Sequence, residues 1–288
     1  KNDYTVMASR RKREGVAAVL KKLEKSIEDG DYYHAQQMYQ TLYHRLLKEK
    51  KFKEIEDMLE KGSILMLQHD EINAGTDLAV LLIDTYSHQD TQITDARIET
   101  ILKIFKHYKN DNAPSKRTFI KKVTKWSENE SNNNAGDPRL HLAFAQAMAQ
   151  VKDWLQATKH FMHADAPKQH ATMIKQWMAQ GYAAEQDLFI ARSVLLHLTF
   201  SDLNGANALY KELAGSVDTP LINFIKYLLQ TLERDALPLF QLLRDRYKMA
   251  LSRDESLNEA LDKIAFAFFG VKTGTSNMLQ SMLEAFMK

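Results

Sequence analysis

The chain has 288 residues, with 39 Lys and Arg against 37 Asp and Glu, and no cysteine. A net charge of +2 lacks the basic excess of a general nucleic-acid binder, and without cysteine there are neither disulfides nor thiolate zinc sites. Apolar residues at 44% can build a sizeable core, but 10 Gly and 5 Pro supply too few turns for a sheet architecture.

Leu, Ala, Lys, Gln, Glu and Met dominate, and all are good helix formers. The length suits two small domains or one extended repeat array. No apolar run reaches the roughly 18 residues of a membrane span, and no leading segment has the form of a secretion signal. With the lack of cysteine, this favours a reducing compartment, the cytosol.

The opening cluster Arg10-Arg11-Lys12-Arg13 reads as a basic, solvated terminus over residues 1–13, with a nuclear-localisation or nucleic-acid patch as the alternative. Val16, Val19, Leu20, Leu23 and Ile27 then recur at helical spacing until Gly30 stops the run. Asp31 opens a second helix whose inner face carries Ala35, Met38, Tyr39, Leu42, Tyr43 and Leu46. A third carries Phe52, Ile55, Met58 and Leu59, with Gly62 where close packing against a neighbour would favour a glycine.

Gly75-Thr76 is expected to break the chain before a fourth helix with Leu78, Leu81, Leu82 and Tyr86. The fifth starts near Thr94, and Pro114 suits the first turn of the sixth, which runs to Trp126. Ser127 to Asp137 is the most polar stretch and reads as a loop dividing two halves, 14–126 and 139–270.

In the second half, helices are predicted around Leu140–Met148 and Trp154–Ala164, and over 168–180, 183–200, 203–214, 218–233, 235–250 and 254–269. Short connections make neighbouring helices antiparallel. Ala157, Phe161, Ala164 and Pro167 follow the small–aromatic–small–proline spacing of a tetratricopeptide second helix. The predicted fold is all-α: a degenerate right-handed α-solenoid of tetratricopeptide-like helix pairs, each burying its apolar face against the next. Such a stack offers extended surfaces to partner proteins.

Chemistry-bearing patterns are sparse. The stretch Gly270 to Ser276 has the letters of a phosphate loop in the wrong order and reads as a loop. His160 and His163 stand three apart on a helix and suggest either solvated histidines or half of a metal site, as in a helical metal hydrolase. Trp126, Trp154 and Trp177 read as core or half-buried anchors. In the tail, 271–288, Met278, Leu279, Met282, Leu283, Phe286 and Met287 form an apolar stripe that suits a partner surface or a docked last helix. No cofactor is implied, and nothing supports an enzyme.

Several segments resemble a known family, the Golgi-to-ER traffic protein four scaffold of the guided-entry pathway for tail-anchored membrane proteins. They are Gly30-Asp31-Tyr32-Tyr33-His34-Ala35-Gln36-Gln37-Met38-Tyr39, Gly75-Thr76-Asp77-Leu78, Lys125-Trp126-Ser127, Gly136-Asp137-Pro138-Arg139-Leu140-His141, Leu221-Ile222-Asn223-Phe224 and Phe268-Phe269-Gly270-Val271. The resemblance implies an N-terminal half that holds a homodimeric targeting ATPase and a C-terminal half that holds a ubiquitin-like adaptor. In animal members the C-terminal half also meets a large BAG-domain chaperone component. It implies neither nucleic-acid binding nor direct membrane insertion.

By this resemblance Lys48 matches a basic position that anchors the ATPase, and Asp77 an acidic position that restrains ATP hydrolysis. Arg45 and Lys51 flank Lys48 near a helix end, where cations also suit the helix dipole. By themselves, Lys48 reads as a solvated lysine and Asp77 as a first-turn carboxylate of the fourth helix. The adaptor is expected on Phe224, Tyr227, Leu228 and Phe240. Only Gly215 to Pro220 stands where many family members carry a longer insertion used in holding the adaptor. Without the resemblance, the alternative is a tetratricopeptide-like interaction subunit of another cytosolic complex.

Overall fold

The computed structural model describes residues 18–19, 21–23, 25–89, 93–109, 114–131, 135–213, 215 and 217–271, and among them there are helices and turns but no strand. Helical residues 18–19, 21–23 and 25–28 make up α1. There follow α2 (Tyr32–Lys48), α3 (Phe52–Gln68), α4 (Ile72–Ser87), α5 (Asp95–Phe105), α6 (Pro114–Glu130) and α7 (Pro138–Gln150). The later helices are α8 (Trp154–Phe161), α9 (Pro167–Met178), α10 (Gln186–Thr199), α11 (Leu203–Leu213), α12 (Pro220–Glu233), α13 (Leu237–Arg246), α14 (Lys248–Leu251) and α15 (Glu255–Phe269). A single 3₁₀ turn, Ala183–Glu185, precedes α10.

Local chemistry fixes where these helices start. All five prolines of the sequence stand at the first or second position of a helix, where the missing N–H costs nothing. Asp31, Thr94, Thr219 and Asp254 cap α2, α5, α12 and α15 by accepting a hydrogen bond from a first-turn N–H. The connections are tight. Lys50, Asp70, Lys152, Ser201 and Asp235 each stand in the middle of a three-residue link with φ between +49° and +64°. This αL residue reverses the chain and sets successive helices antiparallel.

The residues form two compact units, which meet in sequence between Ala147 and Met148. In the first, α2, α4 and α6 follow one another in a row, with α3 against α2, α4 and α5. Its core includes Leu46, Ile55, Leu59, Leu78, Leu82, Ile98, Phe119 and Val123, and Phe105 meets Phe144 edge-on at 4.9 Å. In the second, α10 is central, packed by α9, α11, α12 and α15, around Ile190, Val194, Leu198, Leu209, Phe224, Leu228 and Leu261.

The tetratricopeptide-like positions Ala157, Phe161 and Ala164 are buried as expected, but α8 ends at Phe161, short of Ala164, and Pro167 opens α9 instead of closing the helix before it.

Three other expectations need correction. Gly75-Thr76 is no break: α4 begins at Ile72. A Cβ on Gly75 would sit 2.8 Å from Leu67 Cγ and 3.1 Å from the Ser63 carbonyl oxygen, so this glycine brings α4 onto α3. The polar stretch from Ser127 is not all loop. α6 runs on to Glu130, and Ser127 is buried with its hydroxyl accepting the Asp137 N–H at 2.7 Å. The single helix expected over 235–250 is two, interrupted at Tyr247, whose ring lies against Phe224. The Arg10–Arg13 cluster, the stretch after Val271 and the Met-rich tail lie outside the described residues.

Candidate functional site

Two surfaces carry the candidate residues, one on each unit. On the first, the inward face of α2 (Ala35, Tyr39, Leu42, Tyr43, Leu46) is buried, which leaves Tyr33, His34, Gln37, Thr41, His44, Arg45 and Lys48 exposed. Arg45 and Lys48 thus project into water from the last turn of α2, favourable to the helix dipole. Arg45 is drawn toward Glu49 at 3.8 Å.

Lys51 differs from expectation. It is the residue before α3, and its Nζ lies between Glu49 at 3.4 Å and Glu54 at 3.3 Å. Its charge is largely compensated within the turn, and Glu49, which the sequence reading did not single out, neighbours two of the three cations.

Asp77 is exposed on α4 and accepts a hydrogen bond from Gln36 Nε2 at 2.8 Å. Because α4 starts at Ile72, Asp77 belongs to its second turn, not its first. Gln36 stands near the start of α2 and Lys48 at its end. With a rise of 1.5 Å per residue, the two lie about 18 Å apart along the axis. The predicted residues are therefore a basic end and a separate acidic point on one surface, not one cluster.

On the second unit, three of the four expected adaptor residues are core. Phe224, Leu228 and Phe240 are at most 1% exposed, and Phe240 packs its ring on Phe269 at 5.4 Å. The amphipathic period of α12 turns Leu221, Phe224, Ile225, Leu228 and Leu232 inward and leaves Tyr227 outside. Tyr227 is exposed, as are Leu239, Leu242, Met249 and Phe266 of the same unit, large hydrophobic side chains that no sequence pattern singled out.

The remaining candidates are resolved by their surroundings. His160 is half-buried, and burial, with His163 and Lys159 nearby, pulls its pKa down to about 4. His163 stands edge-on to Phe200. Among the described residues, no three His, Asp or Glu side chains come together to hold a metal ion. Trp126 is buried beside Tyr86, while Trp154 and Trp177 are half-buried and stacked. Gly270 ends α15 with φ +67°.

A buried pair that no local pattern announces is His170 and His197, with ring centroids 5.6 Å apart. His197 Nδ1 is 2.8 Å from Asp202 Oδ2, Phe161 stacks on His170, and burial, with His197 beside it, holds the His170 pKa down to about 3.

The segments that carried the resemblance have definite structural work. Gly30 takes φ +78° before the Asp31 cap. Gly136 takes φ +79°, and a Cβ there would meet His141 Nε2 at 2.9 Å. Asp137 then receives the Arg139 N–H at 2.9 Å, and the Arg139 guanidinium joins Asp137 to Asp95 at 2.8 Å each. Thr76 Oγ1 meets Tyr108 Oη at 2.8 Å in the core.

Residues 49–287 match the family model for Golgi to ER traffic protein 4. A Dictyostelium discoideum protein named Golgi to ER traffic protein 4 homolog is 36% identical over 93% of this chain and 89% of its own length. The Arabidopsis thaliana Protein GET4 is 33% identical over 93% and 94%. A Homo sapiens homolog is 32% identical over 91% of this chain and 82% of its own. The fold matches the crystal structure of C. therm. Get4 with a TM-score of 0.81, at 24% identity over 95% of this chain and 96% of that one, an all-α solenoid. The chain belongs to the Golgi to ER traffic protein 4 family.

Proposed function

We propose that this protein acts in the Golgi-to-ER traffic pathway as a non-enzymatic cytosolic scaffold. It links a homodimeric targeting ATPase to a ubiquitin-like adaptor and its co-chaperone, and so promotes the handover of tail-anchored proteins for insertion into the ER membrane. Family membership across nearly the whole chain is the observation that carries this reading. No helix among the described residues is long and apolar enough to cross a membrane, which fits a protein that hands on a membrane client.

In this proposal the exposed end of α2, with Arg45 and Lys48, anchors the ATPase. Lys51 supports that turn through Glu49 and Glu54, and Asp77 restrains hydrolysis. The adaptor covers Tyr227 and exposed apolar side chains of the same unit, and the buried Phe224, Leu228 and Phe240 support that half from within. A BAG-domain component, where present, uses the same half.

The test is direct binding of the purified chain to the nucleotide-bound ATPase. Lys48→Glu should weaken binding at least about tenfold, roughly 1.4 kcal/mol, and chiefly by slowing encounter, with an unchanged helical spectrum. Asp77→Lys should keep binding within about twofold while hydrolysis accelerates. Normal binding by the Lys48→Glu variant would remove the anchor, and unchanged hydrolysis would remove Asp77 from the mechanism.

A further inference from the structure

α6 carries charge in a pattern that its own stability does not explain. Lys116, Arg117, Lys121, Lys122 and Lys125 fill its first three turns without an acid among them, and its only carboxylates, Glu128 and Glu130, stand at its end. Both placements oppose the helix dipole, which favours anions at the start and cations at the end.

Two of the five cations have internal partners. Lys116 is buried over the Phe105 ring at 5.0 Å, and Lys122 pairs with Asp84 of α4. Arg117, Lys121 and Lys125 are exposed and have no ion-pair partner among the described residues. Three other exposed cations of this unit reach acids on neighbouring elements: Lys103 meets Glu60, Lys109 meets Asp70 and Arg139 meets Asp95.

The three free cations follow at i, i+4 and i+8. They form a ridge about 12 Å long within about 80° of the helix circumference, with charges roughly 6 Å apart. Like charges at i,i+4 destabilise a helix by about 0.2–0.5 kcal/mol per pair. The ridge therefore costs the fold stability, as sites kept for binding commonly do.

We infer that the Arg117–Lys121–Lys125 ridge of α6 docks an acidic helix of a partner protein, one that presents Asp or Glu at i, i+4 and i+8. Charge and spacing both point to this occupant, since carboxylates at those positions repeat at the same 6 Å. A nucleic-acid backbone fits less well. Three cations are fewer than such contacts usually engage, and Glu128, Glu130 and Asp84 flank the ridge. The inference is independent of the ATPase and adaptor assignments and goes beyond them.

The test uses the full chain and a fluorescently labelled, alanine-based helical peptide with Glu at i, i+4 and i+8, titrated by anisotropy at low and at physiological salt. Binding should weaken with salt, and Arg117→Glu/Lys121→Glu/Lys125→Glu should weaken it at least about tenfold. The reversal keeps three like charges at i, i+4 and i+8 but removes cations from the start of the helix, so thermal stability should be little changed. The milder Arg117→Gln/Lys121→Gln/Lys125→Gln variant keeps the test valid if the reversal misfolds. It relieves both the repulsion and the dipole conflict and should be at least as stable as the parent. Lys263→Glu, an exposed site on α15, should leave peptide binding as it was. The inference is overturned by absence of peptide binding, by equal binding to the triple variants, or by tighter binding of a DNA duplex through the same three residues.

Discussion

At the residue scale, two glycines show how one missing Cβ sets the distance between helices. A Cβ at Gly62 would meet Tyr39 Cε1 and Cζ at 2.6 Å, whereas at Gly75 it would meet the branched Leu67 Cγ and the Ser63 carbonyl. The Gly62 contact is with the far end of one side chain, whereas the Gly75 contacts include a backbone oxygen, which cannot give without moving a helix. Overpacking costs about 1–3 kcal/mol, and Gly→Ala inside a helix returns up to about 1 kcal/mol. Gly75→Ala should therefore lose about 1–2 kcal/mol by urea denaturation and Gly62→Ala less than about 1 kcal/mol. Equal losses would mean that the two contacts are alike. The Gly62 role is readable from its place within an apolar run. The Gly75 role is not, because a glycine inside a helix and one before it look the same until the neighbouring helix is present.

At the scale of elements, one buried ionic node of the second unit joins three of its helix starts and turns. Asp187, in the first turn of α10, is buried. It accepts bonds from Arg253 Nη1 at 2.6 Å and Nη2 at 3.1 Å, and from the Thr219 hydroxyl that caps α12 at 2.9 Å. Burial alone would push this carboxyl up, but the Arg253 and Thr219 bonds outweigh it and hold the pKa below the usual range. The node joins the starts of α10 and α12 to the turn before α15. Arg253→Met would strand the carboxylate. With Arg253 itself partly exposed, we expect a loss of about 2–3 kcal/mol, below the range for a fully buried pair. Adding Asp187→Leu should recover part of that loss in a double-mutant cycle, and strict additivity would show that the two residues act separately. The node joins residues 66 apart in sequence, so nothing in the local pattern announces it. The helices it joins were legible, because their period of 3.6 and their proline starts are local properties.

At the scale of the molecule, the two units should respond differently to acid. His170 and His160 lie in the second unit and are held neutral, at about 3 and about 4. Unfolded, they take up protons near 6.5. The unfolded chain therefore binds more protons as pH falls below about 6.5, and the second unit loses stability from there downward while keeping it in full above. Asp187 and Asp254, also held low, add a further loss below about 4. In the first unit, Asp137 is held low by its bonds to Arg139 against the upward push of burial, and that contribution is lost only below about 4. In an acid titration, Trp154 and Trp177 fluorescence should thus change at higher pH than that of Trp126, read in Trp126→Phe and in Trp154→Phe/Trp177→Phe variants. Coincident transitions would contradict this, and His170→Leu should move the second unit's transition to lower pH. The all-α class, most helix limits and the family were legible along the chain, since period, prolines and caps act within a few residues of themselves. Which candidates face water was set by packing between distant segments. Phe224, Leu228 and Phe240 went inward and Tyr227 outward, Lys51 was compensated by Glu49 and Glu54, and His170 met His197. Burial and charge pairing depend on neighbours brought from distant parts of the chain, and a helical period says that a helix has two faces without saying what covers each.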